Sequence, residues 1–265
     1  MGSPTSTILL AMPGLDMRIH ELFEAVSRGE VAPPEAASQL ALLPYRELGF
    51  ASLDTHREFR QGAPEAILAE GKTTGEVLEI ASALLDAGAG SVMITRAGED
   101  VRRAVLRTLP GFHEHERARA VWAINDPPQP RGLVVMLSAG TSDGAPLHEA
   151  RIRAELIGTR VCVHEDVGVA GLHRLAPALD DLVQADCVVV VAGMDGALTS
   201  VVGGLVAAPV IGVPTSAGYG SAHDGHTALN AMLSSCAAGV AVVGIDDGLG
   251  AGTIAARIAR TAAPA

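Results

Sequence analysis

The chain is almost without lysine. Of its 19 basic residues, 18 are Arg and one is Lys72, against 30 acidic residues and a formal net charge of -11. That balance argues against nucleic acid as a main partner, because phosphate neutralisation needs clustered basic residues. Long apolar runs are also missing. Mean hydropathy is high at +0.31, yet no uninterrupted stretch nears the ~18 residues of a membrane span. The longest tracts, such as 187–194, are strand-sized, so no membrane partner is expected. The opening MGSPTSTILLAMPGLD has no basic leader and too short an apolar core for a signal peptide. Cysteine is scarce: Cys162, Cys187 and Cys236 cannot all pair and show no CxxC spacing. A reducing, cytoplasmic setting is the simplest reading.

What is present is unevenly spread. Residues 1–126 hold 12 of the 19 basic residues, whereas residues 127–265 hold 19 of the 30 glycines. The stretch Asp126-Pro-Pro-Gln-Pro-Arg131 separates the halves and can form neither a helix nor a central strand. It sets two expected domains, 1–126 and 127–265. The first reads as a small α/β unit: helices over 17–28 and 34–43, a strand over 50–53, and a polar segment over 54–74. A helix (75–87), a strand (91–95), a helix (99–109) and a strand (118–124) follow.

The second half is more regular. Short Val/Ile-rich runs at 133–137, 160–164, 187–192, 210–213 and 240–245 suit strands covered on both faces. Helical segments at 146–157, 172–184, 197–206 and 225–238 separate them, and another at 252–262 follows. Five β-α alternations imply a doubly wound parallel sheet, in which ligands sit beyond the carboxyl ends of the strands.

The strand-end segments therefore matter most. Ser138, Gly140, Thr141, Ser142 and Asp143 combine small residues, hydroxyls and a carboxylate ahead of a helix. Backbone N–H groups there favour phosphate, and Asp143 suits a ribose hydroxyl; an ordinary helix cap is the alternative. The dehydrogenase GxGxxG pattern is absent, and Gly71-Lys72-Thr73 is no P-loop, since Ala66 stands where its first glycine belongs. The pairs His113/His115 and His223/His226 supply no complete metal set and read as surface residues, so no metal ligands are assigned. Glu165, Asp166, His173 and Arg174 suit acid–base or phosphate work, or plain ion pairing. Cys162 and Cys187 lie in apolar strands as small hydrophobes. Cys236 ends an expected helix and could face the core or a ligand, with core packing favoured by position; the helix terminus there disfavours a thiolate.

The segments LDTHREFRQGAPEAILAEGKT, SAGTSD, EDVGVAGLHR, VVVVAGMDGALTSVVGGLV, VPTSAGYG and ALNAMLSSCAAGVAVVGIDDGLGAG together resemble the LarB family of pyridinium-3,5-biscarboxylic acid mononucleotide synthases. The C-terminal half resembles class I aminoimidazole ribonucleotide carboxylase/mutase. The resemblance implies C5 carboxylation of the pyridinium ring of nicotinic acid adenine dinucleotide by CO2, with phosphoanhydride hydrolysis releasing AMP, on the way to a nickel-pincer nucleotide. It implies that Cys236 is the nucleophile, and Asp195 the base where the family has Glu. Ser235 is a second departure, where Asn is common. The SAGTSD loop with Asp166, His173 and Arg174, and Thr215, Gly218, Tyr219 and Gly220 of VPTSAGYG, would bind substrate. Asp54, Arg57, Arg60 and Lys72 would close the site over a pyrophosphate, with Mg2+ between them, and no tightly bound organic cofactor is expected. The mutase fold suggests a homo-oligomer, an octamer by precedent. A purine-pathway carboxylase and a non-catalytic nucleotide-binding module are the competing readings.

Overall fold

The computed structural model describes residues 13–36, 45–54, 57 and 61–263. In the N-terminal part, helix α1 (Pro13–Ser27) precedes a hairpin of β1 (Tyr45–Glu47) and β2 (Ser52–Asp54). The helix expected over 34–43 is helical as far as residue 36, and its remainder lies outside the described residues. A four-stranded sheet follows, built from β3 (Ala66–Leu68), β4 (Ser91–Thr95), β5 (His113–His115) and β6 (Ala120–Ile124), in the order β3-β4-β6-β5. Only β3 and β4 run parallel. Strands β3 and β5 correct the sequence reading, which had a polar segment at the first and nothing at the second.

Helices α2 (Thr74–Asp86) and α3 (Glu99–Thr108) cover one face of this sheet. Val77, Ile80, Ala81 and Leu84 recur at helical spacing and pack on Ile67, Val92, Ile94 and Val121. The start of α2 is fixed by a capping box: Glu76 N–H donates to Thr73 Oγ1 (3.3 Å) and Thr73 N–H to Glu76 Oε2 (2.7 Å).

The C-terminal part alternates β7 (Leu133–Ser138), α4 (Gly144–Leu156), β8 (Arg160–His164), α5 (Leu179–Gln184), β9 (Cys187–Ala192), α6 (Ala197–Gly203), β10 (Val210–Pro214), α7 (His226–Leu233), β11 (Val240–Val242) and α8 (Gly248–Ala262). Every strand pairing is parallel, in the order β11-β10-β9-β7-β8. The doubly wound parallel sheet expected from the sequence is there. Alternate residues feed two cores: Val134, Met136, Val189 and Val191 pack with α4 and α8, while Val135, Leu137, Val188 and Val190 pack with α5, α6 and α7.

Glycine lets α4 and α8 meet closely. A Cβ on Gly252 would collide with Ala150 O, and one on Gly248 with Pro146 O. Several elements differ from expectation: α6 stops at Gly203 rather than 206, and β11 at Val242 rather than 245. The segment 172–184 is a 3-10 stretch over Val169–Ala178, interrupted at Gly171, and then α5; Pro177 lies inside the 3-10 stretch. Helix α7 ends at Leu233 rather than 238, and α8 begins four residues early, where Asp247 accepts from Gly250 N–H (2.7 Å).

The second face of the N-terminal sheet lies on α4: Met93, Ala118 and Ala120 pack with Ile152 and Leu156. The Pro-rich connection between the sheets is tied at both ends. Asn125 and Asp126 N–H donate to Gly90 O (2.8 and 2.9 Å), Arg131 N–H to Gly158 O (2.9 Å), and the Arg260 guanidinium to Gln129 O (3.2 Å). No helix among the described residues is long and apolar enough to cross a membrane.

Candidate active site

The strand order reverses between β7 and β9, and crevices in such sheets open at the carboxyl ends beside that reversal. The loop after β7 is organised from within. Asp143 is buried, and its carboxylate accepts from Gly140 N–H (2.8 Å), from Thr215 Oγ1 (2.7 Å) and from the backbone of Gly193. Burial pushes its pKa up, while these bonds and the Thr215 hydroxyl oppose the rise. Asp143 thus knots three strand-end loops together, where a ribose contact was expected. Ser138 is likewise buried, its Oγ accepting from Asp166 N–H (3.3 Å). Thr141 and Ser142 are the exposed members of the loop.

A cleft of about 270 Å3 lies between the two parts of the chain. Glu70, Arg96 and Arg119 line it from the N-terminal side, and Ser142, Glu149, Thr215, Ser216 and Asp246 from the other. Arg96 spans it: one Nη donates to Asp246 O (3.1 Å), the other lies 3.7 Å from Glu70, and Nε is 4.0 Å from Glu149. Glu149 is buried, takes the Thr95 hydroxyl, and accepts from Leu249 N–H (3.1 Å). Burial raises its pKa, while the Thr95 hydroxyl, Arg96 and Leu249 N–H oppose the rise. Asp246 Oδ1 accepts from Ser216 N–H (2.9 Å).

Arg96, Arg119, Asp166, Met194 and Asp246 all have positive φ, a conformation that costs non-glycine residues about 1 kcal/mol or more. All five sit in turns beside strand ends. Asp166 also pairs with Arg174 (2.7 Å), next to exposed His173. A separate cluster joins the two parts at the surface: Glu165 meets His148 Nε2 (2.6 Å) and an Arg117 Nη (3.0 Å), and the His148 ring lies on His115 (4.3 Å between centroids). Burial lowers both histidine pKa values. His115 is thus half-buried, unlike exposed His113, His223 and His226.

The other sequence candidates are dispersed. Asp195 is exposed at the carboxyl edge, its Oδ1 accepting from Ala197 N–H (3.3 Å) at the start of α6. Gly218, Tyr219 and Gly220 follow β10, with Tyr219 fully out in solvent at 76% exposure. Lys72 is exposed and donates to Leu68 O (2.8 Å); Arg57 pairs with Glu65 (2.9 Å); Asp54 is half-buried on β2. Arg60 lies outside the described residues.

Cys236 is exposed, in the loop between α7 and β11. It neither ends a helix nor packs in the core. That loop delivers the chain to Val240, which pairs with Val210 at the beginning of β10. Cys236 therefore lies at the amino edge of the sheet. Ser235 beside it meets Ser200 Oγ (2.8 Å) from α6. A five-residue strand separates the two edges by about 13 Å or more. Asp195 precedes α6 at the carboxyl edge, whereas Ser235 meets that helix at Ser200, so Cys236 and Asp195 stand at different levels of the sheet.

Sequence reasoning missed Arg96, Arg119, Glu149 and Asp246. Asp246 stands in a strand-end segment and Arg96 directly follows β4, cues that were there to use. Among the described residues no three acidic or histidine side chains converge in the cleft with metal-ligand spacing. The residues thus offer Mg2+ no resident site, only Glu70, Glu149 and Asp246 as partners for an ion carried in on a substrate.

Comparison with known proteins covers both parts of the chain. Residues 45–125 match the LarB/PurE-like N-terminal domain, and residues 133–265 match AIR carboxylase. An uncharacterised protein of Methanocaldococcus jannaschii is 36% identical over 252 residues, covering 91% of this chain and 97% of that protein. A crystal structure of a Treponema denticola PurE2 variant aligns with a TM-score of 0.40 at 21% identity, over 49% of this chain and 79% of the other. With both domain families matched in order and a relative similar along almost its entire length, this chain belongs to the LarB family, carboxylase-type enzymes whose C-terminal domain is of the AIR carboxylase kind.

Proposed function

We propose that the protein carboxylates the pyridinium ring of nicotinic acid adenine dinucleotide at C5 and hydrolyses its phosphoanhydride, giving the dicarboxylated mononucleotide and AMP. The observation that carries this reading is the cleft between the two parts of the chain. It sets Arg96 and Arg119 across from the loop ends of the carboxylase-like domain. Guanidinium forks suit a pyrophosphate, and the Ser142 hydroxyl and strand-end backbone suit the adjoining phosphate and sugar. A pyridinium ring is too electron-poor to attack CO2. Addition of the Cys236 thiolate at C4 turns it into a dihydropyridine whose C5 is nucleophilic. C5 then bonds to CO2, Asp195 takes the C5 proton, and expulsion of the thiolate restores aromaticity. Water attack on the phosphoanhydride releases AMP. Glu70 and Asp246 would face any Mg2+ carried on the pyrophosphate, whose charge would offset that of the phosphates, and the nucleotide substrate fits a cytoplasmic enzyme.

The placement of Cys236 adds a requirement. Its amino-edge loop reaches a substrate at the carboxyl edge only if a second copy supplies it, so the working enzyme is a homo-oligomer with shared sites. The first test incubates purified protein with the dinucleotide, CO2 and Mg2+, and uses mass spectrometry to detect the dicarboxylated mononucleotide and AMP. Cys236→Ala is expected to abolish turnover while retaining dinucleotide binding. Full activity of that variant on an aminoimidazole ribonucleotide would favour the purine-type carboxylase; tight binding without turnover by the wild type would favour a regulatory module. Co-assembly of inactive Cys236→Ala and Asp195→Ala chains should recover about a quarter of wild-type activity if the site is shared, and none if it is not.

A further inference from the structure

Strand β8 pairs only with β7 and forms one edge of the large sheet. Cys162 and His164, two residues apart, point to the same face of that strand. Helix α5 packs over this face and brings Asp181 to both. Cys162 Sγ lies 3.2 Å from Asp181 Oδ2, His164 Nε2 lies 2.8 Å from the same oxygen, and sulfur and nitrogen are 3.6 Å apart. Among the described residues this is the one group of three or more Cys, His, Asp or Glu side chains whose ligand atoms converge this closely. It is outside the cleft and has no role in the proposed carboxylation.

We propose that Cys162, His164 and Asp181 form a binding site for a divalent cation of the zinc class. In a tetrahedral zinc site, bonds of about 2.0–2.3 Å hold neighbouring ligand atoms about 3.4–3.6 Å apart. The sulfur–nitrogen pair already stands at that separation. The carboxylate oxygen needs to withdraw by only about half an ångström to make room for the ion. Asp181 can do so, since its side chain is 40% exposed, against 19% for His164. Exposure on that side also leaves the fourth position to water. A thiolate–imidazole–carboxylate set selects a borderline-soft ion over Mg2+ or Ca2+.

The protons balance simply. Without the ion, the Cys162 thiol and the His164 Nε2–H both donate to Asp181. Binding sends the thiol proton to solvent and moves the imidazole proton to Nδ1, so one proton is released per ion. Because a proton is released, binding is expected to tighten as pH rises.

The test titrates the chelator-treated full-length protein with Zn2+ under reducing conditions in competition with a chromophoric chelator, and with Co2+ to reveal thiolate-to-metal charge transfer. One ion per chain, a charge-transfer band and an increased thermal midpoint are expected. Cys162→Val suits the strand and should lose the band. Cys162→Val and Asp181→Asn should each weaken Zn2+ binding by at least about 100-fold. Cys236→Ala should keep both the band and the stoichiometry. No thiolate band, a band that survives Cys162→Val, or a band lost with Cys236→Ala would each overturn the site and leave a hydrogen-bonded cluster only. Because the readout is binding, its failure is distinct from any failure of the carboxylation reading.

Discussion

Glu149 offers the sharpest check on how the two parts of the chain are joined. Its carboxylate holds the Thr95 hydroxyl from the N-terminal sheet and Leu249 N–H at the start of α8, and both Glu149 and Thr95 are buried. Removing the carboxylate in Glu149→Ala leaves two polar groups without their partner. Each costs about 1–3 kcal/mol, so the variant should lose about 2–6 kcal/mol. Glu149→Gln keeps an acceptor for Leu249 N–H and offers its NH2 to the Thr95 hydroxyl, and should lose far less. The two variants also separate charge from shape. Burial raises the Glu149 pKa in the folded protein. The stability it contributes is therefore complete below the ordinary glutamate value, about 4.3, and is lost as pH rises through the elevated folded value. Urea denaturation monitored by circular dichroism from acid to neutral pH reads this directly. Wild type should lose stability relative to Glu149→Gln as pH rises. A Gln variant as unstable as Ala, or a wild-type/Gln difference independent of pH, would refute the reasoning.

Three further predictions rest on other contacts. Thr215→Val removes the hydroxyl that donates to buried Asp143; it should cost about 1–3 kcal/mol by denaturant titration and weaken nucleotide binding measured calorimetrically, whereas Thr215→Ser should restore both. Gly252→Ala drives a methyl into Ala150 O between α4 and α8. Overpacking of about 1–3 kcal/mol outweighs the ~1 kcal/mol of helix propensity gained, so the thermal midpoint should fall; a rise would show that the helices can separate freely. Lys72→Arg exchanges a compact ammonium for a planar fork at the turn where Nζ meets Leu68 O. It should lower kcat/KM in the carboxylation assay, and an unchanged value would remove Lys72 from the site.

Legibility in the sequence followed the physics of burial. Strand β9 has the expected bounds because a strand covered on both faces reads as an unbroken Val-rich run. Strand β5 is His-Glu-His and carries no such signal; pairing with β6 alone makes it a strand. Helix α4 hides its role differently. It is sandwiched between the large sheet and the N-terminal sheet, so Glu149 is buried although a polar residue in mid-helix reads as a solvent contact. The knot at Asp143 depends on Thr215, 72 residues away, a separation no local pattern encodes. Cys236 and Asp195 stand in two separate segments of the family resemblance, and their different placement follows from the direction of α6 and α7 across the sheet, which only topology supplies.

The Pro-rich connection has a consequence for ligand binding. Proline restricts its backbone, and Gly90, Gly158 and Arg260 hold it at both ends, so it acts as a strut between the two sheets. The separation of the cleft walls is then set by the fold itself. The entropy of bringing them together belongs to folding, and a ligand entering between Arg96 and Thr215 has only side chains left to order.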